Sequence, residues 1–242
     1  MHNKTAAMGT LYLVPAFLDP STPAERVIPS FNEKIISPIR DFVVEDLRSA
    51  RRFLRACGFK ENFEKVNFSL LNEHTPARDT ESFLAPAKEG RDMALLSEAG
   101  CPAIADPGAN LVHLAHRLKI KVVPLAGPSS ILLALMASGM NGQNFAFCGY
   151  LPKDQAGRIK KIRELERESA HKNQTQIFIE TPYRNRHLFS DLVSSCGEST
   201  LLCIAAGITT EKEFIKTLSV KEWKKETAPI PGVPAVFLLY KP

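Results

Sequence analysis

Short apolar runs that stop abruptly at a proline or a polar turn recur along this chain, with segments of helical period between them. Thr10–Pro15 (TLYLVP), Met93–Ser97 (MALLS), Lys121–Leu125 (KVVPL) and Phe145–Gly149 (FAFCG) are such runs in the first part. Gln176–Glu180, Thr200–Ala205 and Ala235–Tyr240 repeat the pattern in the second. Runs of this length with little polar alternation read as buried strands. Between them, Leu47, Ala50, Leu54 and Cys57 form an apolar stripe behind Asp46, a residue suited to cap a helix, and Gly58 suits its stop. Further helices are expected over about 109–118, from Gly127-Pro-Ser-Ser130 to Ser138, over about 155–172, and from the turn at Thr181-Pro182 to Ser195. Strands alternating with helices in both halves predict two α/β domains with open, mixed sheets. Tyr150–Asp154 reads as a linker, which divides the chain into residues 1–149 and 150–242.

A chain of 242 residues is long enough to stabilise its core without disulfides or a metal. Its five cysteines, Cys57, Cys101, Cys148, Cys196 and Cys203, are odd in number and scattered, which argues against a disulfide framework or zinc site and for a reducing cytoplasm. No apolar stretch is long enough to span a membrane, and Met1–Met8 carries no signal-like run. His113 and His116 have metal-compatible spacing but no third ligand, so they read as a surface pair and no metal is expected. The formal charge of +5 is concentrated in two clusters. Lys153, Arg158, Lys160, Lys161, Arg163 and Arg167 are interleaved with Glu164, Glu166 and Glu168 and read as a solvated helix face. Arg48, Arg51, Arg52 and Arg55 have fewer acidic neighbours downstream and are the better nucleic-acid candidates.

In open α/β sheets ligands bind beyond the carboxyl ends of strands. Three turns lie there: Pro15-Ala-Phe17, Glu98–Gly108 and Ala126–Ser130. The middle one combines Gly100 and Gly108 with Pro102 and Pro107, so its backbone is stiff in places and closely approachable in others. Ser129 and Ser130 open a helix, where free N–H groups attract carboxylate or phosphate. Taken alone these are ordinary loop and capping residues. Neither a Gly-x-Gly-x-x-Gly nor a Walker-type motif is present.

The blocks Gly9–Pro15 (GTLYLVP), Ala94–Gly108 (ALLSEAGCPAIADPG) and Val122–Ser130 (VVPLAGPSS) resemble the tetrapyrrole methylase superfamily. Within it they are most similar to the branch that methylates ribose in bacterial small-subunit ribosomal RNA. Ser138-Gly139, Phe145–Pro152 and Ile177–Arg184 (IFIETPYR) continue the likeness in order. The resemblance implies two α/β domains, S-adenosylmethionine in the cleft between them, and a homodimer. Carried over residue by residue, it implies donor contacts at Pro15, at Gly100, Cys101, Pro102, Ala103, Ile104 and Ala105, and at Ser129 and Ser130. It implies further donor contacts at Thr181, Ala206 and Pro234.

A ribose hydroxyl is a poor nucleophile and profits from a base. Glu45, Asp46, Glu73, His74 and Glu180 are the candidates, each with a plainer reading as cap, loop residue or salt-bridge partner. Two segments depart from the family pattern. Ala16–Ser21 (AFLDPS) stands where a Thr-Pro-Ile-Gly-Asn-Leu-like loop is usual, and Ala205–Glu211 (AAGITTE) where an Arg-Glu-Leu-Thr-Lys-like segment is usual. The leading expectation is methylation of ribosomal RNA, with Arg48, Arg51, Arg52 and Arg55 on phosphates. The alternatives are a tetrapyrrole or other small-molecule acceptor, and a diverged donor-binding protein without catalysis.

Overall fold

The computed structural model describes residues 7–72, 75, 80–226 and 232–242. They pack as two compact units, residues 1–129 and 130–242. In the first unit β1 (Thr10–Val14), β2 (Asp41–Val44), β3 (Asn67–Leu70), β4 (Met93–Leu96) and β5 (Lys121–Pro124) lie in the order β3-β2-β4-β1-β5. Every pairing is parallel. The expected mixed sheet is therefore corrected here: in this half each strand is separated from the next by a crossover and no hairpin forms, so all strands run one way. The central strands β2 and β4 are buried at every residue, while β3 and β5 at the edges are partly exposed.

β2 and β3 have no counterpart in the sequence pattern. Asp41-Phe-Val-Val44 is short and begins with a carboxylate. That carboxylate is held by Asn67 Nδ2, which donates at 2.9 Å, and by Arg91 Nε, which donates at 3.1 Å. Pairing with two neighbours, rather than its own composition, makes this segment a strand. The helix Leu47–Ala56 forms as expected. Asp46 accepts from Ser49 N at 2.7 Å, Ala50, Phe53 and Leu54 are buried, and Gly58 reverses the chain at φ +81°.

The second unit holds β6 (Phe145–Tyr150), β7 (Thr175–Glu180), β8 (Leu201–Ala206), β9 (Phe214–Ser219) and β10 (Ala235–Tyr240) in the order β6-β7-β10-β8-β9. Only β6 and β7 pair in parallel, so this sheet is mixed. Its core stacks Phe178 on Phe237 and sets Phe189 edge-on against Trp223, whose Nε1 donates to Leu202 O at 2.8 Å. The helix Ser130–Ser138 packs on β9 and β10, and Thr217 Oγ1 donates to Ser138 O at 2.8 Å.

Arg158 corrects the reading of the second basic cluster as wholly solvated. It is buried, and its Nε and Nη2 reach Asp191 Oδ2 at 2.7 and 2.6 Å. A buried guanidinium is tolerated because a carboxylate and the Lys153 carbonyl at 2.8 Å satisfy it. Among the described residues no helix is long and apolar enough to cross a membrane, and no cluster of three or more His, Cys, Asp or Glu side chains could hold a metal.

Candidate active site

Parallel strands deliver all their following loops to one edge, and in the first unit that edge gathers the unusual turns. β1 exits leftward towards β2 in the sheet order, and β4 exits the other way towards β5. Neighbouring strands whose connections part in this way leave a crevice at their carboxyl ends. Here the two loops are stitched together: Ala16 N donates to Gly100 O at 2.9 Å and Gly100 N to Ala16 O at 3.2 Å. Buried Ser97 adds a hydroxyl bond to Gly100 O at 2.6 Å. A Cβ on Gly127 would lie 2.4 Å from Pro15 Cβ, so glycine is what lets the loop after β5 close on the end of β1.

The loop after β4 holds three residues in the left-handed region: Gly100 at φ +73°, Ala103 at +66° and Ala105 at +61°. An alanine there costs roughly 1–2 kcal/mol, so two of them mark a loop whose shape is maintained by its surroundings. Asp106 provides the clamp. Its Oδ1 accepts from Ala103 N at 2.7 Å and from Gly108 N at 2.8 Å, closing the loop and meeting the start of the helix Gly108–Arg117. Gly108 has no room for a Cβ, which would lie 2.8 Å from Leu95 Cδ2. Between the two strained alanines, the Ile104 side chain is 52% exposed.

Glu45 follows β2 directly and sits half-buried beside β4, its sheet neighbour. Its carboxyl shares a hydrogen bond with the Asp106 carboxyl and accepts from the backbone N–H of Glu98. Burial, then the negative charge of Asp106, then their shared hydrogen bond push the Glu45 carboxyl up to about 7. Burial also raises Asp106, against the pull of its two backbone donors. The charge of Asp106 disfavours ionised Glu45, so the pair keeps a proton to higher pH than an isolated carboxyl would.

The other candidates are placed differently. Asp46 is exposed and spends its carboxylate on Ser49 N and Ser49 Oγ; those bonds lower its proton affinity. Glu73 and His74 lie outside the described residues. Glu180 is buried, with Oε1 accepting from Thr181 N at 2.7 Å and Oε2 paired with Arg184 Nη2 at 2.6 Å. Arg184 Nη2 also reaches Leu151 O at 3.2 Å. Glu180 thus occupies the place of a structural ion pair.

Thr181, Ala206 and Pro234 are scattered in sequence but meet at one edge of the second sheet. Ala235 is registered against both Glu180 and Ala206. At the same edge Asn185 Nδ2 donates to Val233 O at 2.8 Å. Asn185 Oδ1 and Arg184 Nε are buried there without a protein partner among the described residues.

The arginines divide into two pairs. Arg51 lies over the Phe63 and Phe68 rings at 5.5 Å from each, and Arg55 lies over Phe63 at 4.0 Å while donating to Phe59 O. All four are exposed, and Arg48 lies beside the Asp46 carboxylate.

The site residue that the sequence reading missed is Asp106. Asp-Pro-Gly at a helix start is a legible turn and cap signal. Its meeting with Glu45 depends on β2 lying next to β4, and β2 was not legible.

The protein-family model for tetrapyrrole (corrin/porphyrin) methylases matches residues 34–224. Ribosomal RNA small subunit methyltransferase I of Escherichia coli O157:H7 is 31% identical over 91% of this chain and 73% of its own length. The protein of that name from Vibrio cholerae is 30% identical over the same shares, and the one from Pseudomonas aeruginosa is 29% identical over 78% of this chain and 64% of its own. Two solved structures share the fold. The methyltransferase CobJ has a TM-score of 0.61 and 17% identity, covering 97% of this chain and all of its own. Uroporphyrin-III C-methyl transferase from Thermus thermophilus, complexed with S-adenyl homocysteine, has a TM-score of 0.57 and 16% identity, covering 96% and 98%.

Proposed function

This chain belongs to the tetrapyrrole (corrin/porphyrin) methylase family and is an S-adenosylmethionine-dependent methyltransferase, and from that premise we propose that its acceptor is a ribose hydroxyl of ribosomal RNA. The observation that carries the reading is the Glu45–Asp106 pair. It puts a carboxyl that titrates near neutrality against the strained loop, directly before the helix bearing the arginines.

The residues of the first unit fit the donor. Backbone at Gly100–Ala105 is held in shape by Asp106, and exposed Ile104 offers an apolar face for adenine. Bound S-adenosylmethionine supplies an electrophilic methyl on a cationic sulfur. The chain's own task is to align the acceptor oxygen in line with that methyl and to exclude competing poses. Glu45 takes the hydroxyl proton, and Asp106 positions it and sets its proton affinity near the working pH. All four arginines are exposed and open to phosphates, and Arg51 and Arg55 are in addition pre-oriented on aromatic rings.

The reading includes a cytoplasmic homodimer. Met136 and Leu132 on the helix Ser130–Ser138 are 79% and 50% exposed, and burial against a second copy accounts for them. Light scattering at micromolar concentration should give twice the monomer mass. The decisive test of the acceptor is a map of ribose methylation in ribosomal RNA from cells with and without the gene. One site should lose its methyl group. An unchanged map, with donor turnover on a small molecule instead, would replace the RNA reading.

A further inference from the structure

The second unit carries a cationic groove that the methyl-transfer site does not use. The helix Gln155–Lys172 buries Arg158, Ile162, Leu165 and Ser169 on one side. On the other, Lys160, Arg163 and Arg167 line a cavity of about 470 Å³ together with Ile159 and Ser195. Positions three and seven apart fall on one helical face, so the three cations form a row about 10 Å long.

Charge balance along this helix is uneven. Glu164 is bonded to Lys161 at 2.5 Å and Glu168 to Lys172 at 3.3 Å. Glu166, the acid that lines the groove, accepts from Gly197 N at 2.8 Å and from the Thr200 hydroxyl. Glu164 and Glu168 are thus paired with lysines, whereas the hydrogen bonds to Glu166 hold its carboxylate in place and leave its charge. Among the described residues Lys160, Arg163 and Arg167 form no ion pair and no side-chain hydrogen bond. The groove therefore sets three cations against the one carboxylate of Glu166, with Glu164 also feeling the charges of Arg167 and Lys160, and its balance stays positive.

We propose that this groove binds the phosphates of an RNA strand and so gives the enzyme a second, sequence-independent hold on its acceptor. The inference rests on RNA being the acceptor. A row of cations in an open groove matches a row of phosphates, and guanidinium groups bind phosphate in two-pronged fashion. Ile159, also in the lining, offers an apolar contact for a sugar or base.

The experiment measures binding of the full chain to a single-stranded polyuridylate oligonucleotide by anisotropy over a range of salt. Wild type is compared with Lys160→Ala/Arg163→Ala/Arg167→Ala, with a matched thermal melt to verify folding. Each phosphate contact on a single strand contributes about 0.7 to the slope of log affinity against log salt. The triple variant should therefore lose about two units of slope. Lys161→Ala, which removes a cation already paired with Glu164, should lose much less. Equal slopes for wild type and triple variant, or no salt-dependent binding by wild type, would overturn the proposal. So would a polyglutamate peptide competing as strongly as RNA of equal charge, which would make the occupant an acidic protein. The methylation map is independent. A groove-dependent slope with an unchanged map removes the acceptor reading and, with it, the groove's role as a hold on the acceptor, leaving RNA binding alone; a lost methyl with equal slopes overturns the groove and keeps the acceptor.

Discussion

Replacing Glu45 with glutamine separates catalysis from stability in a way that only its environment explains. An ordinary glutamate titrates at 4.5, whereas burial and the Asp106 carboxyl push Glu45 up to about 7. A group with a raised folded-state value favours folding while it is protonated. That benefit is fully present below 4.5 and is lost as pH rises through about 7. Above that, the ionised carboxylate is a burden. At ~1.4 kcal/mol for each tenfold change in proton affinity, a dry group would cost about 3 kcal/mol. Glu45 is only half-buried, and discounting for solvent leaves about 1–2 kcal/mol. Glu45→Gln should therefore be more stable than wild type by about that amount at pH 8.5, and close to it at pH 4. Its methyl transfer should fall by roughly 10²–10⁴-fold, the usual worth of a positioned base.

The assay is single-turnover methyl transfer across pH 5.5–9, paired with thermal melts at the two ends. Wild-type rate should rise with pH through a midpoint near 7 and then level off. Glu45→Gln should be slow and lack that rise. Asp106→Asn removes the neighbouring negative charge, so the wild-type midpoint should move to lower pH while burial keeps it above 4.5. A rise through 7 that persists in Glu45→Gln would refute the assignment of the base. Equal alkaline stability of Glu45→Gln and wild type would refute the physical account of the shift.

Three further outcomes are expected. Ala103→Trp, in the turn held by Asp106, should abolish S-adenosylhomocysteine binding by calorimetry while the protein stays folded, and normal binding would move the donor elsewhere. Asp191→Ala strands the buried Arg158 guanidinium and should cost about 3–5 kcal/mol in chemical denaturation; a loss under 1 kcal/mol would mean that water or the backbone carbonyls suffice. Arg48→Ala/Arg52→Ala should lower the salt slope of RNA binding by about one unit per lost contact on a duplex, and equal slopes would take RNA away from this helix.

Local sequence was a sufficient guide wherever a signal sits within a few residues of its consequence. Asp46 before Leu47–Ala56, Gly58 after it, and the apolar runs of β1, β4, β7, β8 and β10 are of this kind, since capping and continuous burial are written in adjacent side chains. The family blocks around Gly100 and Ser130 were legible for the same reason. β2, β3 and β9 were not, because segments so short or so polar become strands only when neighbours supply the hydrogen bonds. The direction of the first sheet followed from that omission.

Charge was the property least determined by sequence. Arg158 and Arg163 look alike in a basic run, yet Arg158 turns inward to Asp191 and Arg163 outward into a groove. Glu45 and Asp46 are adjacent, and their proton affinities move in opposite directions. Asp46 meets the N–H groups of its own helix, a local partnership that favours the anion. Glu45 meets Asp106, brought beside it by the placement of β2 against β4. A carboxyl's chemistry depends on the charges and dielectric within a few ångströms, and for Glu45 those are supplied by residues that only the folded sheet brings near.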